Sequence, residues 1–289
     1  MPEIVKNFTC KLYADDSKII AEIKNEQDSI KLQQDINAIV KWTDTWFMRL
    51  NYEKCKVMHF GYKNPKYNYI MHDQLTSNQH TLVATDSERD LGVTLTSDAK
   101  WSTHANNCAS KANRMLGWMK SSFMCRDQNL WKTLYMTYIR PHLEFAAPAW
   151  NVHQKQDIDC IERIQRRATK VSHNLKQFSY QERIDLLGLT TLEARRARGD
   201  CIQTFKIMTG RDVVKWHTEP RIAEAAYGHR QRLMRQYVNN CAARHNFFTN
   251  RVACQWNKLP DAIAGSSSVN MFKNGFDQNQ HNKKTFFIL

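Results

Sequence analysis

Tyr13-Ala14-Asp15-Asp16 is the segment whose residue types could do chemistry. Two adjacent carboxylates repel each other, and structure alone rarely calls for such a pair. A divalent cation offsets that cost, because hard ions such as Mg²⁺ prefer carboxylate oxygens. Held on a protein edge, paired ions can activate an attacking hydroxyl and stabilise a leaving phosphate in phosphoryl transfer. The plainer reading of Asp15-Asp16 is a solvated turn, since aspartates are common in turns for their own reasons.

The surrounding elements must position these acids. Apolar-rich runs at 5–12 and 18–23 flank the polar residues Asp15, Asp16 and Ser17, which predicts a β-hairpin turning at 15–17. Residues 28–50 carry Leu32, Ile36, Ile39, Val40, Trp46, Phe47 and Leu50 on one side at helical spacing, with Lys31, Asp35 and Lys41 opposite. Short strands are expected at 55–60, 67–71, 81–84 and 91–95. From Trp101 the pattern turns helical, with an apolar stripe of Ala105, Ala109, Ala112, Leu116, Met119 and Phe123. Further helices are expected at 127–140 and 156–172, separated by Pro141 and Pro148. Others follow at 179–187, 191–209 and 245–259, with a linker at 211–230, a loop at 264–270 and a disordered tail from Asp277. The fold class read from this is α+β, a β-hairpin, helix and short strands followed by helical regions.

Charge divides the chain unevenly. Residues 1–100 carry 13 Lys/Arg against 14 Asp/Glu, whereas residues 101–289 carry 29 against 14. This asymmetry points to a polyanionic partner for the second part, nucleic acid above all. Arg163, Arg166, Arg167 and Lys170 fall at i, i+3, i+4 and i+7, one basic stripe beside the apolar Ile161, Ile164, Ala168 and Val171. Such a stripe suits phosphate contact, the alternative being a solvated face with ion pairs to Glu162 or Glu193. Arg195, Arg196 and Arg198 form a second cluster, and Arg230, Arg232 and Arg235 a third. These contacts would position a nucleic acid rather than read its sequence.

No apolar run reaches the roughly 18 residues of a membrane span, so no membrane partner is expected. The first residues lack the basic-then-apolar order of a signal peptide, and an intracellular chain is expected. The 8 cysteines are evenly spread without a C-x-x-C pair, and read as reduced, mostly buried thiols. A zinc site at Cys241, His245 and Cys254, with His229 as a fourth ligand, does not match a common ligand spacing. Trp42, Trp46, Trp118 and Trp131 could stack on bases, but at helical spacing they read as core.

In order along the chain stand YADD (13–16), LNYEKCKVMHFG (50–61), DLGVTL (90–95), KANRMLG (111–117), YIRPHLEFAAPAW (138–150), DIDCIERIQRRATK (157–170), RRARGD (195–200), FKIMTG (205–210) and HNFFTNRVACQWNKLP with SVNMFKN (245–274). This series resembles the C-terminal part of the reverse transcriptases of non-LTR retrotransposons, of the jockey-like kind, over nearly the whole chain. The resemblance implies a partial polymerase palm at 1–96, a helical thumb at 97–173 and a basic helical C-terminal region at 174–289. It implies an RNA-directed DNA polymerase, a nucleotidyltransferase using Mg²⁺ (or Mn²⁺) on an RNA template and DNA primer duplex. Asp15 and Asp16 would be metal ligands, Tyr13 would shape the pocket beside the primer end, and Leu91 and Gly92 would hold the primer strand. Lys54 would donate a proton to the leaving pyrophosphate. Read as bare sequence, Lys54 is equally a solvated lysine, and Leu91-Gly92 an ordinary strand with a bulge.

The family places a further metal-binding aspartate and the fingers upstream of YADD, and only 12 residues precede Tyr13 here. The expectation is a truncated palm, inactive alone, whose missing palm or fingers would have to come in trans. The alternative is a non-enzymatic, sequence-nonspecific nucleic-acid-binding protein derived from a mobile element.

Overall fold

The computed structural model describes residues 2–73, 78–216, 218–223 and 229–286. The chain is mixed α+β and divides into two compact units, residues 1–100 and 101–289. The expected boundary at 96/97 falls within four residues of the division, and residues 101–173 lie in one unit with the expected C-terminal region 174–289.

The first unit opens with an antiparallel hairpin, β1 (Thr9–Tyr13) and β2 (Asp16–Ile20). The helix α1 (Glu26–Thr45) follows, started by Asn25, whose side chain accepts from the Asp28 amide at 3.0 Å. Glu26 and Asp28 in its first turn complement the helix dipole. α1 ends earlier than its periodicity suggests. Phe47 takes a positive φ of 53° and stands exposed beyond the helix, while Trp46 leaves the core and is covered only in part by the Trp42 ring at 6.2 Å. Thr43 and Thr45, whose hydroxyls bond back to Val40 and Lys41, precede the break.

Short strands complete this unit. β3 (Lys56–Val57) is shorter than the expected 55–60. β4 (Ile70–His72) and β5 (Gln79–Thr81) pair antiparallel, while β6 (Val83–Ala84) lies parallel to β3. β7 (Ser87–Asp90) and β8 (Val93–Thr96) form a second hairpin. Each sheet has two strands, so the core comes from α1: Ile36 and Val40 bury against Tyr69 and Met71, with Ile19, Leu32 and Leu82 packed around them. Asp35, placed by periodicity on the solvated side, is only 2% exposed.

The second unit is helical. α2 (Ser102–Ser122) packs its alanine stripe on other helices, with Ala105, Ala109, Ala112, Leu116 and Met119 buried. α3 (Gln128–Leu134) runs through a single π turn, Tyr135–Ile139, into α4 (Arg140–Glu144). Pro141 therefore does not break the chain as expected. Proline cannot donate to the preceding turn, and the wider π turn beside it absorbs the lost bond. α5 (Lys155–Ala168) buries Ile161, Ile164 and Ala168. α6 (Tyr180–Leu186) starts with a capping box between Ser179 and Glu182. α7 (Leu192–Met208) is followed by Gly210 at φ 68°, a left-handed position suited to glycine.

After α7, the short α8 (Ala242–His245) leads to α9 (Phe248–Trp256), stopped before Pro260, then α10 (Asp261–Ala264) and α11 (Val269–Phe286). The tail expected to be disordered from Asp277 continues α11. Phe272 and Phe276 are buried against Phe205 and Trp256, and Arg198 grips Asp277 at 2.6 and 2.7 Å. The expected linker at 211–230 falls partly outside the described residues. The chain beyond it is tied to α9 by two asparagines one heptad apart. Asn257 exchanges hydrogen bonds with the Leu233 backbone at 2.8 and 2.9 Å, and Asn250 with that of Gln236 at 2.8 and 3.3 Å.

No helix among the described residues is long and apolar enough to cross a membrane. All eight cysteines are free, and only Cys108 and Cys201 are buried. Cys10, Cys55 and Cys160 are partly buried and Cys125, Cys241 and Cys254 are exposed, so the expectation of mostly buried thiols does not hold.

Candidate nucleic-acid interface and paired carboxylates

The hairpin at Asp15-Asp16 is tighter and earlier than predicted. Its turn is Ala14-Asp15, and Asp16 is already the first residue of β2, paired with Tyr13. Ala14 adopts φ 52°, a positive value that the first central position of primed hairpin turns requires. Only Cys10 and Ile19 turn part of their surface inward, so Tyr13, Asp15 and Asp16 all face solvent. Neither carboxylate makes a hydrogen bond or ion pair among the described residues. No three His, Cys, Asp or Glu side chains there come together as metal ligands.

Leu91 and Gly92 are the turn of the second hairpin rather than part of a strand. Both have positive φ, 45° and 88°, and β8 begins only at Val93. The left-handed conformation is ordinary for Gly92 and costly for Leu91, whose side chain is 49% exposed. An ion pair from Lys18 on β2 to Asp90 on β7 joins the two hairpins, and Lys56 pairs with Glu88 at 3.0 Å. The acids and the Leu-Gly turn therefore lie at the ends of two linked ribbons, a relation absent from sequence spacing. Lys54 is exposed in the turn before β3, where its amide bonds to Asn51 at 3.1 Å. No hydrogen bond or ion pair joins it to Asp15 or Asp16.

On α5 the predicted stripe is present for its three arginines, and Lys170 follows in the turn after the helix, which ends at Ala168 rather than at 172. Arg163, Arg166, Arg167 and Lys170 are all exposed, and none forms an ion pair among the described residues. Arg166 lies over the Tyr180 ring at 5.0 Å. Glu162, the expected partner, is turned inward. Its carboxylate accepts from the Leu192 amide at 2.9 Å and from the Tyr180 hydroxyl. Gln165 joins this network, donating to Tyr180 at 2.8 Å and to the Thr190 carbonyl at 3.0 Å. Burial holds the Glu162 carboxyl above the usual range, against the opposing pull of the Tyr180 and Leu192 bonds. The four cations are thus left without carboxylate partners. A row of this kind can meet successive phosphates.

The second cluster does not behave like the first. Arg196 is 5% exposed, with its guanidinium 4.1 Å from the Trp150 ring and donating to the Leu143 carbonyl at 2.6 Å. Burial pulls it down to about 10. A side chain enclosed in this way cannot reach a nucleic-acid backbone, which corrects the expectation for Arg196. Arg195 is partly exposed but clasps Glu144 with two nitrogens, and that bond raises its pKa. Its charge is already spent within the fold.

Other candidates fall apart in space. His229 is buried and bonds to the Trp256 carbonyl at 2.9 Å, while Cys241 and Cys254 are exposed and His245 faces Arg235 at 3.4 Å. Trp131 is core as expected, whereas Trp46 and Trp118 are exposed. Trp118 was readable from the sequence: with Leu116 and Met119 inward at helical spacing, residue 118 points out. Comparison of the chain with protein-family models, with curated proteins and with solved structures gives no match.

Proposed function

We propose that this chain is the nucleic-acid-holding part of a reverse transcriptase of the non-LTR retrotransposon kind, comprising part of the palm and a thumb-like helical region. The single observation that carries the binding half of this reading is the basic group on α5 and the turn after it, four exposed cations without ion pairs among the described residues. In the proposal they follow the backbone of an RNA–DNA hybrid without reading its bases.

The polymerase half rests on the resemblance of the YADD hairpin and the DLGVTL hairpin, and the Lys18–Asp90 link between them supports it. Asp15 and Asp16 suit a Mg²⁺ ion that takes one or two carboxylates and completes its shell with water and substrate phosphate. Such an ion would supply charge neutralisation at the reacting phosphate. The chain's own part is to display both carboxylates, free of competing bonds, at a tight turn. With no third ligand beside them among the described residues, binding rather than turnover is the activity proposed for this chain.

The test is binding of an RNA–DNA hybrid to the full chain, beside a variant with Arg163, Arg166, Arg167 and Lys170 all changed to glutamine. The reading expects the variant to lose most of its affinity. Equal binding by both would refute it. Primer extension by the chain alone, abolished by Asp15→Ala, would show that the proposal understates what the hairpin does.

A further inference from the structure

We infer that the loop from Phe60 to Lys66 is a second nucleic-acid contact, in which Tyr62 stacks on an unpaired base and Lys63 meets the phosphate beside it. The inference rests on the nucleic-acid reading above and extends it to the first unit, whose net charge gave no reason to expect such a contact.

Charge singles out this segment. Residues 54–72 hold four lysines and no Asp or Glu, while the rest of residues 1–100 hold 9 Lys/Arg against 14 Asp/Glu. A basic run thus interrupts an acidic unit. Lys56 pairs with Glu88, but Lys63 and Lys66 are exposed and form no ion pair among the described residues.

The loop is held at both ends and from within. Cys55 and Val57 before it, and Tyr67 and Tyr69 after it, pack into the core beside α1. Between them the Asn64 amide donates to the Gly61 carbonyl at 3.2 Å, which closes a turn with Tyr62 and Lys63 at its centre. The Asn64 side chain donates to the Phe60 carbonyl at 3.2 Å and accepts from the Lys66 amide at 2.9 Å. One asparagine therefore ties down three points of the loop. A tip fixed beforehand loses little freedom when a ligand arrives.

Tyr62, at the centre of this turn, is 92% exposed, although large aromatic rings ordinarily find cover. The Lys63 ammonium lies over its ring, 5.7 Å from the centroid, on one face only. Phe47 and Tyr237 are about as open, but neither has a cation over its ring among the described residues. A bare ring with a cation at its side combines the two requirements for holding a single strand: a flat apolar face for a base and charge for the backbone. In a duplex interior the base faces cover one another, so the loop favours strands with unpaired bases.

The experiment uses the full chain and three probes: a single-stranded DNA carrying 5-iododeoxyuridine, the same strand with tetrahydrofuran abasic residues, and phosphatidylserine vesicles. Irradiation is expected to crosslink the iodouracil strand to Tyr62, read by peptide mapping. Tyr62→Ala is expected to weaken binding of the base-bearing strand about tenfold, within the range for loss of one stacking partner. It should leave the abasic strand unaffected, and Tyr62→Trp should retain the affinity. Lys63→Gln should weaken both strands. If Tyr62→Ala binds the base-bearing strand like the unaltered chain, the inference is overturned. Tyr62-dependent binding of the vesicles without binding of the strand would make the loop a membrane contact and overturn it equally. A chain that binds the RNA–DNA hybrid through its α5 cations but neither single strand overturns this inference alone, and a chain that binds no nucleic acid overturns both readings.

Discussion

Asp35 holds Asn7 by both of its amides: the Asn7 main-chain N–H donates to one carboxylate oxygen at 3.1 Å and the side-chain amide to the other at 3.0 Å. The Lys6 and Phe8 amides add bonds of 3.1 and 3.0 Å to the same carboxylate. One buried acid on α1 thereby fixes the segment that enters the β1–β2 hairpin, and with it the direction in which Asp15 and Asp16 are displayed.

Replacing Asp35 by alanine leaves three backbone donors without a charged acceptor. The expected cost is about 3 kcal/mol, given the strength of hydrogen bonds to ionised groups. Denaturant unfolding measures the loss, and hydrogen exchange should show the amides of Lys6, Asn7 and Phe8 losing protection first. Unchanged exchange at those amides would mean that the clasp does not hold the hairpin.

Ala14 sits at φ 52°, where a β-carbon is crowded. Ala14→Gly is expected to stabilise the chain by about 1 kcal/mol, since relief of this conformation outweighs the added freedom of the unfolded glycine. Thermal unfolding checks the sign. A destabilised glycine variant would show that the turn is not strained.

Arg251 and Asp200 form a nearly enclosed pair at 2.8 and 3.0 Å, and Arg251 also donates to the Pro148 carbonyl at 2.8 Å. Arg251→Met leaves Asp200 buried and uncompensated, at an expected cost of about 3–5 kcal/mol. Adding Asp200→Leu should return a large part of that loss, because the stranded charge is gone. A double variant as unstable as the single one would place the cost in packing instead.

Glu162 sets a pH dependence of known sign. Burial raises its folded pKa above the ordinary 4.5, so the folded chain binds this proton more tightly than the unfolded chain. Its favourable contribution is full below 4.5 and is lost as pH rises through the folded value. Glu162→Gln has no proton to lose. Unfolding measured from pH 4 to 7 should therefore show the variant gaining on the unaltered chain as pH rises. A difference that stays constant would mean that Glu162 titrates normally.

Much of this was legible in the sequence because it is local. Helical periodicity marks α1, α2, α5 and α7, and the spacing of Arg163, Arg166 and Arg167 fixes one exposed face of α5 whatever lies around it, with Lys170 exposed in the turn beyond. The hairpin was legible too, although its turn sits earlier because Ala14 accepts a conformation usually left to glycine or asparagine. What escaped depends on partners far along the chain. Asp35 looks like a solvent-side residue until residues 6–8 fold over it, and Arg196 resembles its neighbour Arg195 until Trp150 and Leu143 enclose it. The continuation of α11 past Asp277 likewise depends on Arg198, a residue of α7.

The most direct measurement is the salt dependence of RNA–DNA hybrid binding by the chain and by its α5 glutamine variants. Each phosphate contact removed should lower the magnitude of the slope of log affinity against log salt by about 0.9. The account expects stepwise losses as Arg163, Arg166, Arg167 and Lys170 are replaced in turn. A slope that stays the same in the fourfold variant would contradict it, and would place any nucleic-acid contact elsewhere on the molecule.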